Sequence, residues 1–221
     1  DASNYNLVTL SGTATADITA KALTVDVAAD NKEYDGTDDA TVTLDTPALV
    51  GIIGVEDVSI DASPTVWDFA DVNVANGIAV TATTGTYTIT GADAGNYTVT
   101  QPTGLTANIT AKDLTLSNFV ADDKEYDGNT SVTGDGFDDD RVSGDALTFS
   151  YNVAFEDKNV GTGKDVDFTT IAISGGADAS NYNLVTLSGT AIADITPKDL
   201  EVTAVTPDIN FGDPEPTPTV T

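Results

Sequence analysis

The side chains with the greatest capacity for chemistry in this chain are its carboxylates. Aspartate and glutamate number 36 against 8 lysine and arginine residues, which gives a net charge of −28 over 221 residues. Hard oxygen ligands in this number attract Ca²⁺. The candidate ligands lie around a short motif that occurs twice, and they are Asp30, Asp35, Asp122, Asp123 and Asp127. The alternative, which we favour for most of the carboxylates, is that high like charge prevents self-association.

The composition also excludes several classes of catalyst. The chain contains no histidine and no cysteine, which removes Ser-His-Asp triads, cysteine nucleophiles, disulfides and the usual zinc ligands. It contains no G-x-S-x-G motif, no P-loop and no G-x-G-x-x-G motif that opens a helix. Paired carboxylates occur throughout, so they do not single out a glycosidase pair. The sequence therefore predicts that the protein is not an enzyme.

The charge and the apolar pattern also bear on partners. A strongly acidic surface repels nucleic-acid phosphates and anionic lipid headgroups. No apolar run approaches the roughly 20 residues of a membrane-spanning helix. We therefore expect neither nucleic-acid binding nor membrane insertion.

Internal repetition is the strongest signal in the sequence. Residues 1–21 and 178–198 differ only at the positions of Ile192 and Pro197, where the first copy has threonine and alanine. A diverged third copy occupies residues 93–112. These copies predict that the chain is part of a tandem array.

Two further motifs recur between these copies in a fixed order. K-E-Y-D-G occupies residues 32–36 and 124–128, and F-x-D-x-N-V occupies residues 69–74 and 155–160. The order predicts two complete units with a partial unit at each end. The predicted boundaries are 1–21 for the last strands of a preceding repeat, 22–111 and 112–197 for the complete repeats, and 198–221 for the start of a different, following repeat.

The sequence pattern within each complete unit predicts about seven short strands and no helix. Apolar and polar residues alternate in residues 23–27 and 105–109, so one face of each strand is buried. Glycine-containing turns separate the strands. In the first unit the strands are predicted near residues 22–28, 40–45, 56–60, 65–69, 77–83, 86–90 with 96–100, and 104–110. This pattern predicts an all-β fold of tandem immunoglobulin-like, antiparallel β-sandwich modules.

The D-A-x-N-Y motif predicts a structural role for its tyrosine and aspartate. Tyr97 and Tyr182 each open a late strand and follow Asp93 and Asp178 by four residues. This spacing matches the tyrosine corner of immunoglobulin-like sandwiches, in which the hydroxyl bonds back to the chain that crosses between sheets. The aspartate can cap the tight turn. Tyr5 is the equivalent residue in the partial copy.

The K-E-Y-D-G motif follows the first strand of each unit, and its Asp-Gly pair predicts a turn. Tyr34 and Tyr126 are expected to cover the open end of the sandwich, which is a structural role. The acidic run at residues 138–140 predicts a solvated loop, with a second metal site as the alternative.

The basic residues are few and mostly repeated. Five of the eight occupy recurring positions, and they are Lys21, Lys32, Lys112, Lys124 and Lys198. One interpretation is a set of salt bridges, each contributing little stability. The alternative is an intramolecular Lys–Asn isopeptide bond, for which Asn96 and Asn181 are the candidate partners.

In these motifs the chain resembles the YDG repeat family, which occurs in tandem in very large secreted bacterial proteins. Residues 211–219, F-G-D-P-E-P-T-P-T, resemble the opening of the related MBG repeats. The resemblance implies β-sandwich modules that serve as extender or stalk segments of adhesin-like proteins, exported to the cell surface or secreted.

Three functional hypotheses follow. The first is a structural spacer that holds a terminal binding domain away from the cell; neighbouring repeats are then its partners, arranged end to end. The second is a module that binds a glycan or host protein through exposed aromatic residues, for which Trp67, Phe69 and Phe137 are the candidates. The third is an accessory region of a secreted enzyme.

Overall fold

A computed structural model describes residues 1–6, 8, 12–61, 66–205, 211, 212, 214, 219 and 220. Over these residues the chain is all-β, which confirms the predicted class. It divides into two compact units, residues 1–111 and 112–221. The helical segments are single 3-10 turns at Ala2–Asn4, Ala94–Asn96 and Ala179–Asn181. Among the described residues, no helix has the length and apolar character needed to cross a membrane.

The described residues of unit 1 form ten strands. They are β1 (Lys21–Ala29), β2 (Lys32–Glu33), β3 (Asp39–Ala40), β4 (Val42–Val50), β5 (Ser59–Asp61), β6 (Val66–Phe69), β7 (Ala75–Thr84), β8 (Thr88–Thr90), β9 (Tyr97–Thr100) and β10 (Leu105–Thr110). A five-stranded sheet has the order β2-β10-β7-β6-β3, and a three-stranded sheet has the order β4-β1-β9. Strands β5 and β8 form a separate antiparallel pair.

In the described part of unit 2 there are ten more strands. They are β11 (Lys112–Leu114), β12 (Leu116–Val120), β13 (Lys124–Glu125), β14 (Gly136–Asp139), β15 (Thr148–Phe155), β16 (Gly161–Gly175), β17 (Tyr182–Leu184), β18 (Gly189–Thr196), β19 (Ala204–Val205) and β20 (Thr219–Val220). Its main sheet has the order β13-β18-β16-β15. The remaining strands form the pairs β11-β17, β12-β14 and β19-β20.

The sheets are mixed, whereas the sequence predicted antiparallel sheets. In unit 1, β1 runs parallel to β9 and β2 runs parallel to β10. In unit 2, β11 runs parallel to β17 and β13 runs parallel to β18. Hydrophobic alternation fixes which face of a strand is buried but not the direction of its neighbour. Hydrophobic alternation therefore could not predict that these strand pairs are parallel.

The strands bury the faces that their alternation indicates. In β1, Leu23 and Val25 are buried, while Thr24 and Asp26, which alternate with them, are exposed. The long strand β16 changes face once, because its pairing with β15 shifts register and Thr170 has a φ of 54°. A bulge of this kind adds one residue to one strand and reverses the alternation beyond it.

The core of unit 2 joins residues from two sheets. Its buried members are Leu116, Phe155, Val166, Phe168, Ile171, Ala191, Ala193 and Ile195. Leu116 lies on β12, in the β12-β14 pair, and the others lie on or beside the four-stranded sheet. In unit 1 the buried residues include Leu23, Val80 and Ile109, which come from both of its larger sheets.

The two ends of the chain differ from the complete repeats. Of residues 1–20, those that the structure describes lie outside any strand, and all are exposed. The boundary at residue 198 and the predicted change of repeat type stay predictions, because much of 198–221 lies outside the described residues.

Candidate functional sites

The K-E-Y-D-G lysine of unit 1 is enclosed by the loop that follows it. Lys32 Nζ lies 2.8 Å from Asp35 Oδ1 and donates to the Thr37 carbonyl oxygen at 2.7 Å. The ammonium also lies 5.6 Å from the centroid of the Phe69 ring, a cation–π contact. Asp35 Oδ1 accepts the Thr37 N–H at 2.9 Å, which closes the turn. We call this arrangement the lysine cage.

Unit 2 builds the same cage with different loop residues. Lys124 Nζ lies 2.7 Å from Asp127 Oδ1 and 5.8 Å from the Phe155 ring centroid. It also donates to the carbonyl oxygens of Asn129 and Ser131 at 3.2 and 3.1 Å. The salt-bridge interpretation is therefore confirmed for the lysines of both K-E-Y-D-G motifs.

The cages lower the pKa of their aspartates. For Asp35, burial raises the pKa, but the hydrogen bonds from Lys32 and Thr37 outweigh it, so the pKa falls below its ordinary value. For Asp127, the hydrogen bond from Lys124 is the main cause of a lowered pKa, followed by the Asn129 N–H. Both carboxylates thus stay ionised and paired with an ammonium group.

The other calcium candidates bind separate parts of the fold. Asp30 accepts the Thr43 hydroxyl at 2.8 Å, and Asp123 accepts the Asp194 N–H at 2.6 Å. Asp122 packs against Gly134. Over the described part of the chain, no three carboxylates come together in a group that fits a metal ion. Asp35 and Asp127 instead have a lysine ammonium beside them.

A second shared feature joins the start of each unit to its end. In unit 1, the Tyr34 N–H donates to the Thr110 carbonyl oxygen at 2.9 Å, and the Thr110 hydroxyl donates to the Lys32 carbonyl oxygen at 3.2 Å. The parallel β2-β10 ladder lies beside these bonds, and the Asn108 N–H donates to Asn31 Oδ1 at 2.7 Å. We call this set the parallel zipper.

The zipper of unit 2 repeats these bonds along β13 and β18. The Tyr126 N–H donates to the Thr196 carbonyl oxygen at 2.9 Å, and the Thr196 hydroxyl donates to the Lys124 carbonyl oxygen at 3.3 Å. The Asp194 N–H bond to Asp123 takes the place of the Asn108–Asn31 bond. Tyr34 is buried and Tyr126 packs against the core of unit 2, so both rings also fill space inside their units.

The D-A-x-N-Y tyrosines close a long loop in each unit. Tyr97 is buried, and its hydroxyl accepts the Ile53 N–H at 3.0 Å and donates to Glu56. That hydrogen bond to Glu56, with burial, raises the pKa of Tyr97. In unit 2, the Tyr182 hydroxyl accepts the Val142 N–H at 2.8 Å and donates to Asp145 Oδ2 at 2.6 Å.

The aspartates of the motif reinforce the same closure. Asp93 Oδ2 accepts the Asp57 N–H at 2.9 Å, and Asp178 Oδ2 accepts the Ala146 N–H at 2.8 Å. Neither carboxylate caps its own 3-10 turn, which the sequence had suggested. Instead each binds backbone 36 or 32 residues earlier, next to the segment that holds the tyrosine. We call the tyrosine and aspartate together the tyrosine clamp.

A glycine makes the close approach within each clamp possible. A Cβ on Gly91 would lie 2.2 Å from the Asp57 carbonyl oxygen, and one on Gly176 would lie 2.0 Å from that of Ala146. Both glycines have a positive φ, of 121° and 116°. Only glycine combines this backbone conformation with such a short separation.

The acidic run at residues 138–140 is not the solvated loop that the sequence predicted. Asp138 and Asp139 lie in β14, and Asp140 follows it. Asp138 binds the Asn118 side chain, Asp139 pairs with Arg141, and Asp140 accepts the Thr115 N–H and hydroxyl. Three adjacent carboxylates thus have three separate partners, because alternate residues of a strand point to opposite faces.

The aromatic residues considered as a binding platform are not on an open surface. Trp67 and Phe69 are 6% and 3% exposed. Phe137 is partly buried in the core of unit 2 and contacts the rings of Phe149 and Tyr151 at 5.2 and 5.3 Å. The apolar character of these rings was consistent with either role, and only burial distinguishes the two.

Sequence reasoning missed the partners of the clamps. Ile53 and Glu56 in unit 1, and Val142 and Asp145 in unit 2, lie about 40 residues before the tyrosines that they bind. The two loops share little sequence, so no repeated motif marked them. The signal common to both loops was an acidic residue three positions after the residue whose N–H binds the tyrosine hydroxyl. Glu56 follows Ile53 in this way, and Asp145 follows Val142.

The comparisons with known proteins identify one family. The sequence model of the YDG domain matches the chain twice, over residues 19–104 and 110–191. Neither the curated proteins nor the solved structures include a match. Each matched segment contains one lysine cage and one tyrosine clamp, whereas the zipper partners at residues 108–110 and 194–196 lie beyond the ends of their segments.

Proposed function

Because the chain belongs to the YDG domain family and carries two of its domains, we propose that it is a structural extender. In this proposal the units are immunoglobulin-like β-sandwich repeats in the stalk of a large, secreted, adhesin-like protein of the bacterial cell surface. Their partners are the neighbouring repeats, and the stalk projects a terminal binding domain. The repeats themselves have no catalytic role.

The path of the chain through each unit is the observation that carries this proposal. Near its start, each unit has a short strand that pairs in parallel with the strand that closes its main sheet late in the repeat, β2 with β10 and β13 with β18. Tension along an array pulls the start of a unit one way and its end the other way. In a parallel pair this loads all the bonds of the zipper together, in shear, instead of breaking them one after another.

The lysine cage strengthens the same place. Lys32 and Lys124 lie in the zipper strands, and their side chains are only 17% and 12% exposed. Each ammonium ties its strand to the loop that follows and to a phenylalanine ring of the main sheet. Charge-assisted hydrogen bonds in partly buried positions are stronger than neutral ones. The features that the two repeats share thus lie where a tensile load would act.

The immunoglobulin-like part of the proposal has separate support. In unit 2 two sets of strands contribute to one core, and in unit 1 both larger sheets supply buried residues. Each unit also has a buried tyrosine whose hydroxyl binds the backbone of a distant loop. A tyrosine corner of this kind is typical of immunoglobulin-like sandwiches. The bond in this protein spans about 40 residues, whereas the usual corner bonds a few residues upstream.

The spacer hypothesis is preferred over the binding-module hypothesis because of burial. The aromatic residues proposed to contact a ligand, Trp67 and Phe69, lie inside unit 1. No specific observation on the described residues favours a glycan or a host protein as a ligand of these two units.

Small-angle X-ray scattering of the chain tests the spacer function. We expect the scattering of a stiff, extended particle, because the joint between β10 and β11 is the single residue Ala111. Scattering typical of freely jointed modules would contradict the proposal. Specific binding of the chain to a glycan array would overturn it in favour of the binding module.

The proposed extender function does not require bound calcium. Because Asp35 and Asp127 are paired with lysines, we expect the same melting temperature in EDTA and in millimolar Ca²⁺. A rise of several degrees with Ca²⁺ would instead show a metal bound to the native state, which stabilises by mass action.

A further inference from the structure

The turn of each K-E-Y-D-G motif contains a bond that is chemically reactive. Asp35-Gly36 and Asp127-Gly128 are both Asp-Gly pairs. In such a pair the glycine nitrogen can attack the aspartate Cγ, because no Cβ on the following residue hinders its approach. The nitrogen loses its proton, the carboxyl hydroxyl leaves as water, and a succinimide ring forms. Water then reopens the ring at either carbonyl, which gives aspartate or isoaspartate.

The turn needs both residues of the pair. Gly36 and Gly128 have φ values of 79° and 85°, in the left-handed region that favours glycine. In both units the aspartate carboxylate accepts the N–H of the residue two positions later, at 2.9 Å in unit 1 and 3.1 Å in unit 2. Aspartate and asparagine make this bond in turns, and hydroxyl side chains make it more weakly. A less reactive pair would therefore weaken the turn.

The lysine of unit 1 binds the carboxylate that would react. Lys32 Nζ lies 2.8 Å from Asp35 Oδ1, and Thr37 donates its N–H and its hydroxyl to the same oxygen, each at 2.9 Å. Loss of water requires the protonated carboxyl group, since an ionised carboxylate has no hydroxyl that can leave. Burial raises the pKa of Asp35, but the hydrogen bonds outweigh it and lower the pKa. The reactive acid is therefore scarce at neutral pH.

The same arrangement holds the carboxylate of unit 2. Lys124 Nζ lies 2.7 Å from Asp127 Oδ1, and its hydrogen bond is the main cause of the lowered pKa of Asp127. The ammonium also donates to the carbonyl oxygens of Asn129 and Ser131, which fix its position. Before the glycine nitrogen could close the ring, the carboxylate would have to gain a proton and give up its ammonium partner.

Two other bonds of this chemical type provide internal comparisons. Asn76-Gly77 lies in β7, and the Gly77 N–H donates to Asn108 Oδ1 at 2.8 Å. Deamidation of an Asn-Gly pair passes through the same ring. Asp135-Gly136 lies in unit 2, where the Asp135 carboxylate accepts the Tyr151 hydroxyl at 2.7 Å. The reaction rates of these two bonds report on opening of their units, because neither belongs to a lysine cage.

We propose that the lysine cages protect the Asp-Gly bonds of the K-E-Y-D-G turns from succinimide formation. Each ammonium keeps its carboxylate ionised and hydrogen-bonded, which slows closure of the ring. This chemical role explains why the motif joins a lysine to an Asp-Gly pair in both units. It does not depend on the stalk function of the array.

Isoaspartate at either turn would dismantle the cage. It adds a methylene group to the backbone and replaces the side-chain carboxylate with one at a different position. Lys32, whose side chain is only 17% exposed, would then lose the carboxylate that its ammonium binds. A largely buried ammonium without its partner is unfavourable. One such reaction would therefore weaken the contacts of β2, the strand that contains Lys32.

Site-resolved isoaspartate analysis of the full chain tests the proposal. The chain is incubated at neutral pH below its melting temperature, and each Asp-Gly bond is followed by peptide mapping with isoaspartyl methyltransferase labelling. In Lys32→Met we expect isoaspartate to form several-fold faster at Asp35-Gly36 than in the native chain, while Asp127-Gly128 keeps its native rate. Lys124→Met should give the reverse result, so each variant is the control for the other.

The comparison bonds separate loss of the ion pair from unfolding. Deamidation of Asn76 should keep its native rate in Lys32→Met, and isomerisation at Asp135-Gly136 should keep its native rate in Lys124→Met. An equal acceleration at these bonds would overturn the proposal, because opening of the unit would then account for the result. The proposal would also be overturned if a variant isomerised at its own K-E-Y-D-G turn no faster than the native chain.

Discussion

Units 1 and 2 have the same recurring polar contacts but differently composed cores. Both have a lysine cage, a parallel zipper and a tyrosine clamp made of equivalent residues. In unit 1 the rings of Trp67 and Tyr87 are in contact, with centroids 6.3 Å apart. In unit 2, five rings form one cluster, and they are those of Phe119, Phe137, Phe149, Tyr151 and Phe168.

This difference shows what the recurring motifs encode. A hydrogen bond between segments 40 residues apart requires a given donor and acceptor at a given distance, so the residue type is restricted. A core requires apolar volume that fills its space, and several combinations of side chains meet that requirement. The motifs recognised in the sequence therefore supply the lysine cage, the parallel zipper and the tyrosine clamp. The cores of the two units are filled by different side chains.

Removing a core ring should have the largest effect, and only in one unit. Phe168 is fully buried and contacts Phe119 at a centroid distance of 5.1 Å. Phe168→Ala should destabilise unit 2 by about 3–5 kcal/mol. Hydrogen exchange at unit 2 amides measures this loss. The fluorescence of Trp67, the one tryptophan of the chain, should report an unchanged unit 1; a matching loss there would contradict the separation of the cores.

Closing the space at the clamp glycines should affect both units alike. Gly91→Ala and Gly176→Ala each place a Cβ against a carbonyl oxygen at a positive φ, and we expect a loss of roughly 1–3 kcal/mol in each unit. Gly95→Ala is the matched control, since its Cβ meets nothing within 4 Å. If Gly91→Ala were neutral while Gly176→Ala was not, the clamps of the two units would not be equivalent.

How far the sequence predicts this architecture depends on the range of each interaction. The strand β7 was expected near 77–83 and spans Ala75–Thr84, because alternation and turn glycines are local. The buried roles of Tyr97 and Tyr182 followed from their position at the start of a strand. The parallel pairing of β2 with β10 did not, because the two strands are more than 70 residues apart. Lys32 was visible as a repeated residue, but its enclosure depends on Phe69 from another strand.

Removing the clamp hydroxyls should have a smaller effect that is again equal in both units. Tyr97→Phe and Tyr182→Phe each leave a backbone N–H and a carboxylate without the phenol that joins them. We expect each substitution to lower the melting temperature of its unit by a few degrees. Tyr5→Phe is the control, because Tyr5 is 85% exposed, and it should leave both transitions unchanged.

The smallest expected effect is on acid stability. The lowered pKa values of Asp35 and Asp127 mean that the stabilisation from these ionised groups is complete above the unfolded pKa of about 3.9. It is lost as the pH falls through the lower folded values. Asp127→Asn should therefore weaken the dependence of unit 2 stability on pH below about 4, and Asp35→Asn should do the same in unit 1. If the pH dependence were unchanged in either variant, the lysine cage of that unit would make no contribution to the pH dependence of its stability.

Single-molecule stretching of the chain between its ends tests the central claim most directly. If the shared zipper and cage resist the load, the two units should unfold in separate steps at similar forces, despite their different cores. Each step should release about 90 residues, or roughly 300 Å of extended chain. Lys32→Met should lower one of the two forces and Lys124→Met the other. The account would be contradicted if the two units unfolded at unequal forces and if Phe168→Ala changed these forces while the lysine substitutions did not.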